Sequence, residues 1–444
     1  MRSLLTFALL IITLISTAQT NADSTGNHLP DYESITLELY NQKKWDSLLI
    51  TGKEAIKAGY DYFNVRVRTG AAAFHLQKYS LSAKHLEKAV ELNNKNDYAN
   101  ELLYYAYTFT GRKPHAGCLT RNFSPDLNHE FSKKFMNPTL YIEAGPVISN
   151  DTKETGNIDE NNSTLFTEKY SEQNAFYLVA GLKKPLGKNF IVDIAVSQIN
   201  LSKHRSIYIR DVDSLNGDFK VKQTEFYISP AVCLNKRLQL IPAIRFARTD
   251  ISEPILSIDS ITNLYLGNPI GIRYNNFIIG GKAIYSHNYW QADVGMWHLT
   301  INDSRSMQYS ASVMVLPFGN LNLYSISGLS YMPDRANQPF IASQTIGFKT
   351  FNKTWLELSG TKGNLVNTVE QNAQLLNNQV VESNYRIASL LIYDLNKQIR
   401  LTLRYQLIEN DAATYFSVKN YEIQRAYTTY FKHIITGGIT WNIK

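Results

Sequence analysis

The chain has 444 residues, with Lys+Arg 45 against Asp+Glu 38 and a formal net charge of +7. Charged residues make up 19% of it, below the roughly 25% usual in soluble domains, while aromatics reach 12% with 28 Tyr. Two Cys exclude a disulfide-stapled scaffold and a four-Cys zinc site. Beyond the extreme N-terminus no apolar run approaches the ~18 residues a membrane helix needs.

Arg2, an apolar run over residues 4–15 and the small residues Ser16-Thr17-Ala18 predict a signal peptide over 1–18, cut before Gln19. The run is too short to span a bilayer, and no Cys follows it to carry a lipid anchor. The mature chain is therefore expected to be exported, opening with a linker over 19–30.

Residues 31–117 repeat at helical spacing. Trp45 and Tyr79 stand 34 positions apart, as do Lys44 and Lys78, Ala55 and Ala89, and Ile56 and Val90. Gly70 falls where paired helices approach closely, Leu86 is the bulky contact, and Ser82 and Ala89 are the small ones. This large/small pattern at that period resembles the tetratricopeptide family, which implies antiparallel helix pairs stacked into a partner-binding surface. A spacer, or a plug-like cap on the next domain, is the plainer alternative.

Residues 118–137 read as a polar connector, after which the period becomes two. Leu401, Leu403 and Tyr405 alternate with Arg400, Thr402 and Arg404; Ile435, Ile439 and Trp441 alternate with Thr436, Thr440 and Asn442. Val196 and Phe226 likewise alternate with Asp193, Ala195 and Glu225. Soluble sandwiches and membrane barrels both alternate in this way. Connection lengths separate them. Short turns (Gly187-Lys188-Asn189, Asn235-Lys236-Arg237, Phe318-Gly319-Asn320, Asn352-Lys353, Asn396-Lys397) intervene between long polar segments at 149–173, 250–271, 363–384 and 409–426. That is the pattern of a transmembrane barrel with periplasmic turns and external loops. The expected fold is thus a short periplasmic helical domain followed by an antiparallel transmembrane β-barrel of about 12–14 strands over 138–444, with Tyr and Trp in interfacial belts.

The last strand, with Gly438, Trp441 and Ile443, resembles the terminal signal that outer-membrane barrels offer their insertion machinery, although Lys444 follows it. Signal peptide, tetratricopeptide-like block and barrel together resemble the YaiO-type outer-membrane β-barrel family. The resemblance implies the outer membrane of a Gram-negative-type bacterium, contact with its lipid, and an N-terminal periplasmic domain. A related order of domains occurs in porins that export polysaccharides, which makes export or assembly of an envelope polymer an expectation at the level of architecture.

If polar faces point inward, Asp193, Glu225, Arg245, Asp293, Glu357, Arg400, Arg404 and Lys432 line the lumen, either as mutually paired filling or as a charged pathway. His204-Arg205-Ser206 has the i, i+2 spacing of outer-membrane lipid hydrolases, but no acid can be assigned to orient the His, and the plainer reading is a basic external loop. The nine His show no paired-ligand spacing, so neither metal nor cofactor is expected. Nucleic acid is an unsuitable partner for an exported membrane barrel. Cys118 and Cys233, both assigned to the periplasmic side, are candidates for a disulfide tying the helical block to the barrel rim. Three functions result: a non-enzymatic barrel whose periplasmic repeats recruit an envelope partner, a closed structural or assembly barrel, and a lipid hydrolase centred on Ser206.

Overall fold

The computed structural model describes residues 30–151, 165–210, 212–257, 265–378, 382–417 and 422–443; the expected signal peptide lies outside them. Helices come first: α1 (Tyr32–Asn41), α2 (Trp45–Lys57), α3 (Phe63–His75), α4 (Tyr79–Leu92), α5 (Asp97–Phe109), α6 (Lys113–Leu119) and α7 (Pro125–Met136). Helices α2, α4 and α6 begin at 45, 79 and 113, so a period of 34 extends one helix beyond its last sequence match. The turns before them are equivalent. Lys43, Gln77 and Gly111 take left-handed φ values of 56°, 58° and 79°. In each, the next amide reaches back five residues: Lys44 N–H to Leu39 O, Lys78 to Ala73 and Arg112 to Tyr107, at 3.0, 2.9 and 2.8 Å. Gly70 has no room for a side chain, because a Cβ there would lie 2.7 Å from Leu86 Cγ. Leu86, Ala89 and Leu103 form the buried seam between pairs.

The segment expected as a connector over 118–137 is mostly helical. Ser124 accepts from the Leu127 amide, Pro125 occupies the first turn of α7, and Asp126 faces the positive helix end. Phe131 then buries itself against Tyr104 and Phe123. One buried aromatic in a polar dodecamer was too weak a periodic signal to read from sequence.

Among the described residues sixteen strands follow: β1 (Thr139–Ser149), β2 (Phe166–Gly187), β3 (Phe190–Ile209), β4 (Val212–Cys233), β5 (Leu238–Ser257), β6 (Tyr265–His287), β7 (Trp290–Ile301), β8 (Ser304–Val315), β9 (Leu323–Tyr331), β10 (Phe340–Phe351), β11 (Thr354–Lys362), the short β12 (Thr368–Glu370) and β13 (Leu375–Asn377), then β14 (Glu382–Asp394), β15 (Ile399–Ser417) and β16 (Ile423–Asn442). All but β12 and β13 form a closed antiparallel barrel of fourteen strands, sealed where β16 pairs with β1. The five short turns gather at one end, the turn end. Asn302 and Asp303, with φ of 50° and 61°, make a tight hairpin at the other.

The wall is uneven. Strands β7 to β11 have 9–12 residues, close to the ~9–11 needed to cross a bilayer, whereas β2 to β6 have 20–23. Much of the polar sequence expected as long loops is therefore strand. It continues the hairpins beyond the apolar part of the wall, where outward residues no longer need to be apolar.

The helical block sits under the turn end. Ser80 N–H donates to Gly319 O (2.8 Å), Asn320 donates to Gln77 O (2.9 Å), and Lys188 Nζ donates to Thr120 O (3.2 Å). Arg112 is the deepest anchor: it pairs with Glu87, covers the Tyr107 ring and donates to the Lys236 carbonyl. A Cβ on Gly117 would lie 2.5 Å from the Lys188 carbonyl, so glycine lets α6 touch the β2–β3 turn.

Candidate functional site

The outer surface is apolar on every barrel strand; Ile142, Leu178, Val196, Phe226, Ile279, Val294, Leu329, Leu358 and Ile439 are among its exposed residues. Aromatics mark its ends, with Trp290, Tyr393 and Trp441 near the turns and Tyr309, Tyr331 and Phe340 at the other limit. A continuous apolar ring of this extent is stable only against an apolar surrounding.

Inside, the segment between β11 and β14, expected as an external loop, enters the barrel instead. Its hairpin, β12 and β13, packs Leu365, Val369, Ala373 and Leu376 on Ile278, Trp297, Leu299 and Ile341 of the inner wall. The apolar residues of the hairpin explain why it leaves water and why this wall is not polar inside. Arg335 donates to the carbonyls of Asn364 and Val366 at its neck. Deep in the barrel, Arg245 donates to Ala373 O at 2.8 Å and Gln374 O at 2.5 Å, while Gln374 donates to Asp193 and Asn372 to Ser229. Gln371, Asn372 and Ala373 at the tip all have left-handed φ, a strained turn held by these bonds.

The hairpin fills one side and leaves a cavity of about 1740 Å³ on the other. Tyr274, Glu253 and Arg425 border it toward the outer end, and Asn396, Lys397 and Gln398 at the turn end. Ten Lys or Arg and six Asp or Glu line it. Arg404 pairs with Glu143 (3.1 Å), Lys432 with Glu172 (2.7 Å) and Arg400 with Asp394 (2.6 Å). Lys113, at the start of α6, reaches into the same space from the helical block. Its side chain is exposed to that space, and the surrounding protein, followed by the charges of Arg400 and Lys183, pushes its ammonium down from the usual lysine range.

The sequence-derived residues divide accordingly. Arg245, Arg400, Arg404 and Lys432 line the cavity. Glu225 is buried against Arg245 and also accepts from Ser197 (2.5 Å). Asp193 bridges Tyr141 and the hairpin. Asp193, Glu225, Asp293 and Glu357 are absent from the lining of this cavity; Asp293 and Glu357, each next to an outward-exposed residue (Val294, Leu358), lie on the inward face, where Ser312 and Lys282 engage Asp293 and Tyr324 engages Glu357. Lys113, Glu143 and Glu172 were missed, the first because it comes from another domain.

His204 and Ser206 lie in strand β3 and not in a loop, on the outside of the tall wall and buried. Asp218 stands opposite His204 in the ladder, its carboxylate 2.5 Å from Nδ1. This is the acid that spacing could not assign, because it arrives across a hairpin. Cys118 Sγ donates to the Cys233 carbonyl at 3.6 Å, and both thiols are free. Among the described residues no cluster of three metal-ligating side chains occurs.

No protein-family model and no curated protein sequence matches the chain. Among solved structures it is similar to a Pseudomonas aeruginosa FadL homologue, with a TM-score of 0.44 and 8% identity over 76% of this chain and 94% of that one. It is also similar to a deltaS2 mutant of the TodX monoaromatic hydrocarbon channel, with a TM-score of 0.43 and 7% identity over 69% and 91%. A third similarity is to the Escherichia coli outer membrane protease OmpT, with a TM-score of 0.25 and 9% identity over 69% and 97%. At these scores the likenesses assign no activity.

Proposed function

We propose that the chain is a non-enzymatic outer-membrane barrel whose lumen admits a polar or anionic solute. Its helical block lies on the periplasmic side, caps part of the turn end and offers its remaining surface to an envelope partner. The observation that carries this reading is a cavity of about 1740 Å³ bordered by residues of both barrel ends and walled by charged side chains of both signs. Charged walls in a low-dielectric passage favour polar and ionic solutes over apolar ones. The outward apolar ring supports the membrane placement, and exposed Leu37 and Ile50 leave apolar helical surface for a partner. Gly438, Trp441 and Ile443 serve in this reading as the insertion signal. Passage of a polymer strand, the wider expectation, requires the hairpin to leave the lumen.

Planar-bilayer recording with the purified full chain tests the proposal. Small ion-conducting openings are expected; silence at every voltage supports a closed assembly barrel. Lipid hydrolysis centred on Ser206 is the second reading, favoured by the His204–Asp218 contact. Phospholipid turnover that disappears in Ser206→Ala would establish it, and equal turnover in both proteins would dismiss it.

A further inference from the structure

The outward face of the tall wall changes character within two residues of the apolar ring. Phe226, Phe246 and Phe277 are successive partners on β4, β5 and β6, and all three point outward and are exposed. Further from the turns, alternation brings Arg248 to the same face, then the cross-strand row Lys222, Asp250 and Arg273, then Lys220. All four cations are exposed. They surround one carboxylate: Asp250 accepts from Arg248 Nε at 2.9 Å and from Arg273 Nε at 2.7 Å.

Inside the barrel, wall cations are matched by carboxylates, as Arg404 is by Glu143 and Arg245 by Glu225. On this outer patch the match fails. Asp250 is divided between two guanidiniums, and neither Lys220 nor Lys222 has a carboxylate partner among the described residues. Asp218, two residues beyond Lys220 on the same face, is turned to His204 Nδ1 at 2.5 Å. Lys220 and Lys222 share a face and repel each other, a cost that a bound anion would offset.

Asp250 divides the patch into two lobes, Lys220 with Lys222 on β4, and Arg248 with Arg273 on β5 and β6. Strands ~4.8 Å apart put the bases of Lys222 and Arg273 roughly 10 Å from each other. One small anion cannot serve both lobes with a carboxylate between them, whereas a headgroup bearing two phosphates can. The height also fits. Arg248 and Lys222 lie two and four residues beyond the phenylalanine row, about 5–10 Å along the barrel axis at a strand tilt near 40°. That is the headgroup layer, within reach of long cationic side chains.

We propose that this patch binds a membrane lipid whose headgroup carries two phosphates, Lys220 and Lys222 taking one and Arg248 and Arg273 the other. The inference rests on the membrane placement proposed above and names a lipid class and its site. Guanidiniums positioned by a shared carboxylate offer phosphate a preset fork, and the lysines act as point charges. Phe226, Phe246 and Phe277 lie against the acyl chains, which makes the ligand a lipid and not free phosphate.

Native mass spectrometry tests this with the full chain ejected from nanodiscs that hold equal amounts of bisphosphorylated and monophosphorylated lipid A. The bisphosphorylated lipid is expected to be retained at least tenfold better. Lys220→Gln with Lys222→Gln should abolish that preference, and Arg248→Gln with Arg273→Gln should do so through the other lobe. An equal loss of charge at two exposed lysines of the turn end, Lys184→Gln with Lys353→Gln, should leave it intact. Folded-state mobility in unheated gels confirms that each variant has assembled. Equal retention of the two lipids, or a preference that survives the Lys220 and Lys222 changes, overturns the proposal. A preference lost as fully in the turn-end variant overturns the site and leaves only net charge. Displacement of the lipid by millimolar inorganic phosphate overturns the acyl-chain contact. A chain found in the outer-membrane fraction without the preference sinks this inference and leaves the membrane placement standing; a chain absent from that fraction sinks both.

Discussion

Phe226 and Val221 stand five residues apart on β4 and face opposite sides of the wall, Phe226 outward in the apolar ring and Val221 toward the cavity. The odd spacing reverses the face, and the change of surroundings reverses which face must be apolar. An Arg should therefore behave differently at the two sites. On a lipid face it costs roughly 2–4 kcal/mol near the midplane, whereas at 221 it meets an open chamber. Phe226→Arg is expected to lose most of the assembled protein from the outer-membrane fraction, and Val221→Arg to assemble near wild-type levels. Equal losses would place the apolar ring outside lipid.

The inward hairpin is held at its neck by Arg335 and deep in the barrel by Arg245. Removing Arg245 also leaves Glu225 as an uncompensated buried charge, which costs about 3–5 kcal/mol and confuses the result. Arg335→Ala is the cleaner change. It should raise amide hydrogen exchange in β12 and β13 by about tenfold without altering exchange in β7 or β8, and should enlarge single-channel conductance. Unchanged exchange in the hairpin would show that its apolar packing alone keeps it inside.

Cys118 belongs to α6 and Cys233 to the end of β4, so a bond between them would join the helical block to the barrel covalently. In an oxidising compartment two such thiols give up two protons and pass two electrons to a disulfide-forming oxidase, provided their Cα atoms lie within about 7 Å. The exported protein is expected to yield one linked peptide pair in a non-reducing digest. Cys118→Ser should then lower the stability of the docked helical block by about 2–4 kcal/mol. Both thiols alkylated in the native exported protein would refute the link.

How much of this could be read from sequence depends on whether the signal was periodic. Arg404 and Leu403 alternate over a long run, so the barrel and its inward polar face were legible there. The turn residues Lys43 and Gln77 hid the strongest evidence of repetition, since a left-handed turn is a backbone property that only Gly111 announces by residue type. Residues 363–384 looked like an external loop because a hairpin with three-residue strands is too short to alternate. Its destination is set by Leu365, Val369 and Leu376 finding Trp297 and Ile341 across the lumen, a non-local match. Lys113 entered the site from another domain, which no pattern within the barrel could reveal.

His85 and His115 give the helical block a pH dependence of known sign. Burial is the main cause that pushes both imidazoles down to about 3, with Arg66, Lys84 and Lys53 adding to it at His85 and Arg112 at His115. His115 is 2% exposed and neither ring nitrogen has a hydrogen-bond partner among the described residues. In the unfolded chain each returns to about 6.5. Below that value the unfolded chain binds protons that the folded chain refuses. Stability is therefore whole above about pH 6.5 and declines as pH falls toward 3, by about 1.4 kcal/mol per unit for each histidine. Asp61 faces His85 but is held below the usual carboxylate range, mainly by its bond from Arg66, and stays ionised through most of this window. Thermal melts of the full chain followed at 222 nm should show the helical transition falling steadily between pH 6.5 and 4.5 while the barrel transition holds. His115→Phe should remove about half of the slope. A helical midpoint that stays constant across that window would mean that both imidazoles protonate in the folded chain, and that the helical block opens locally to let them.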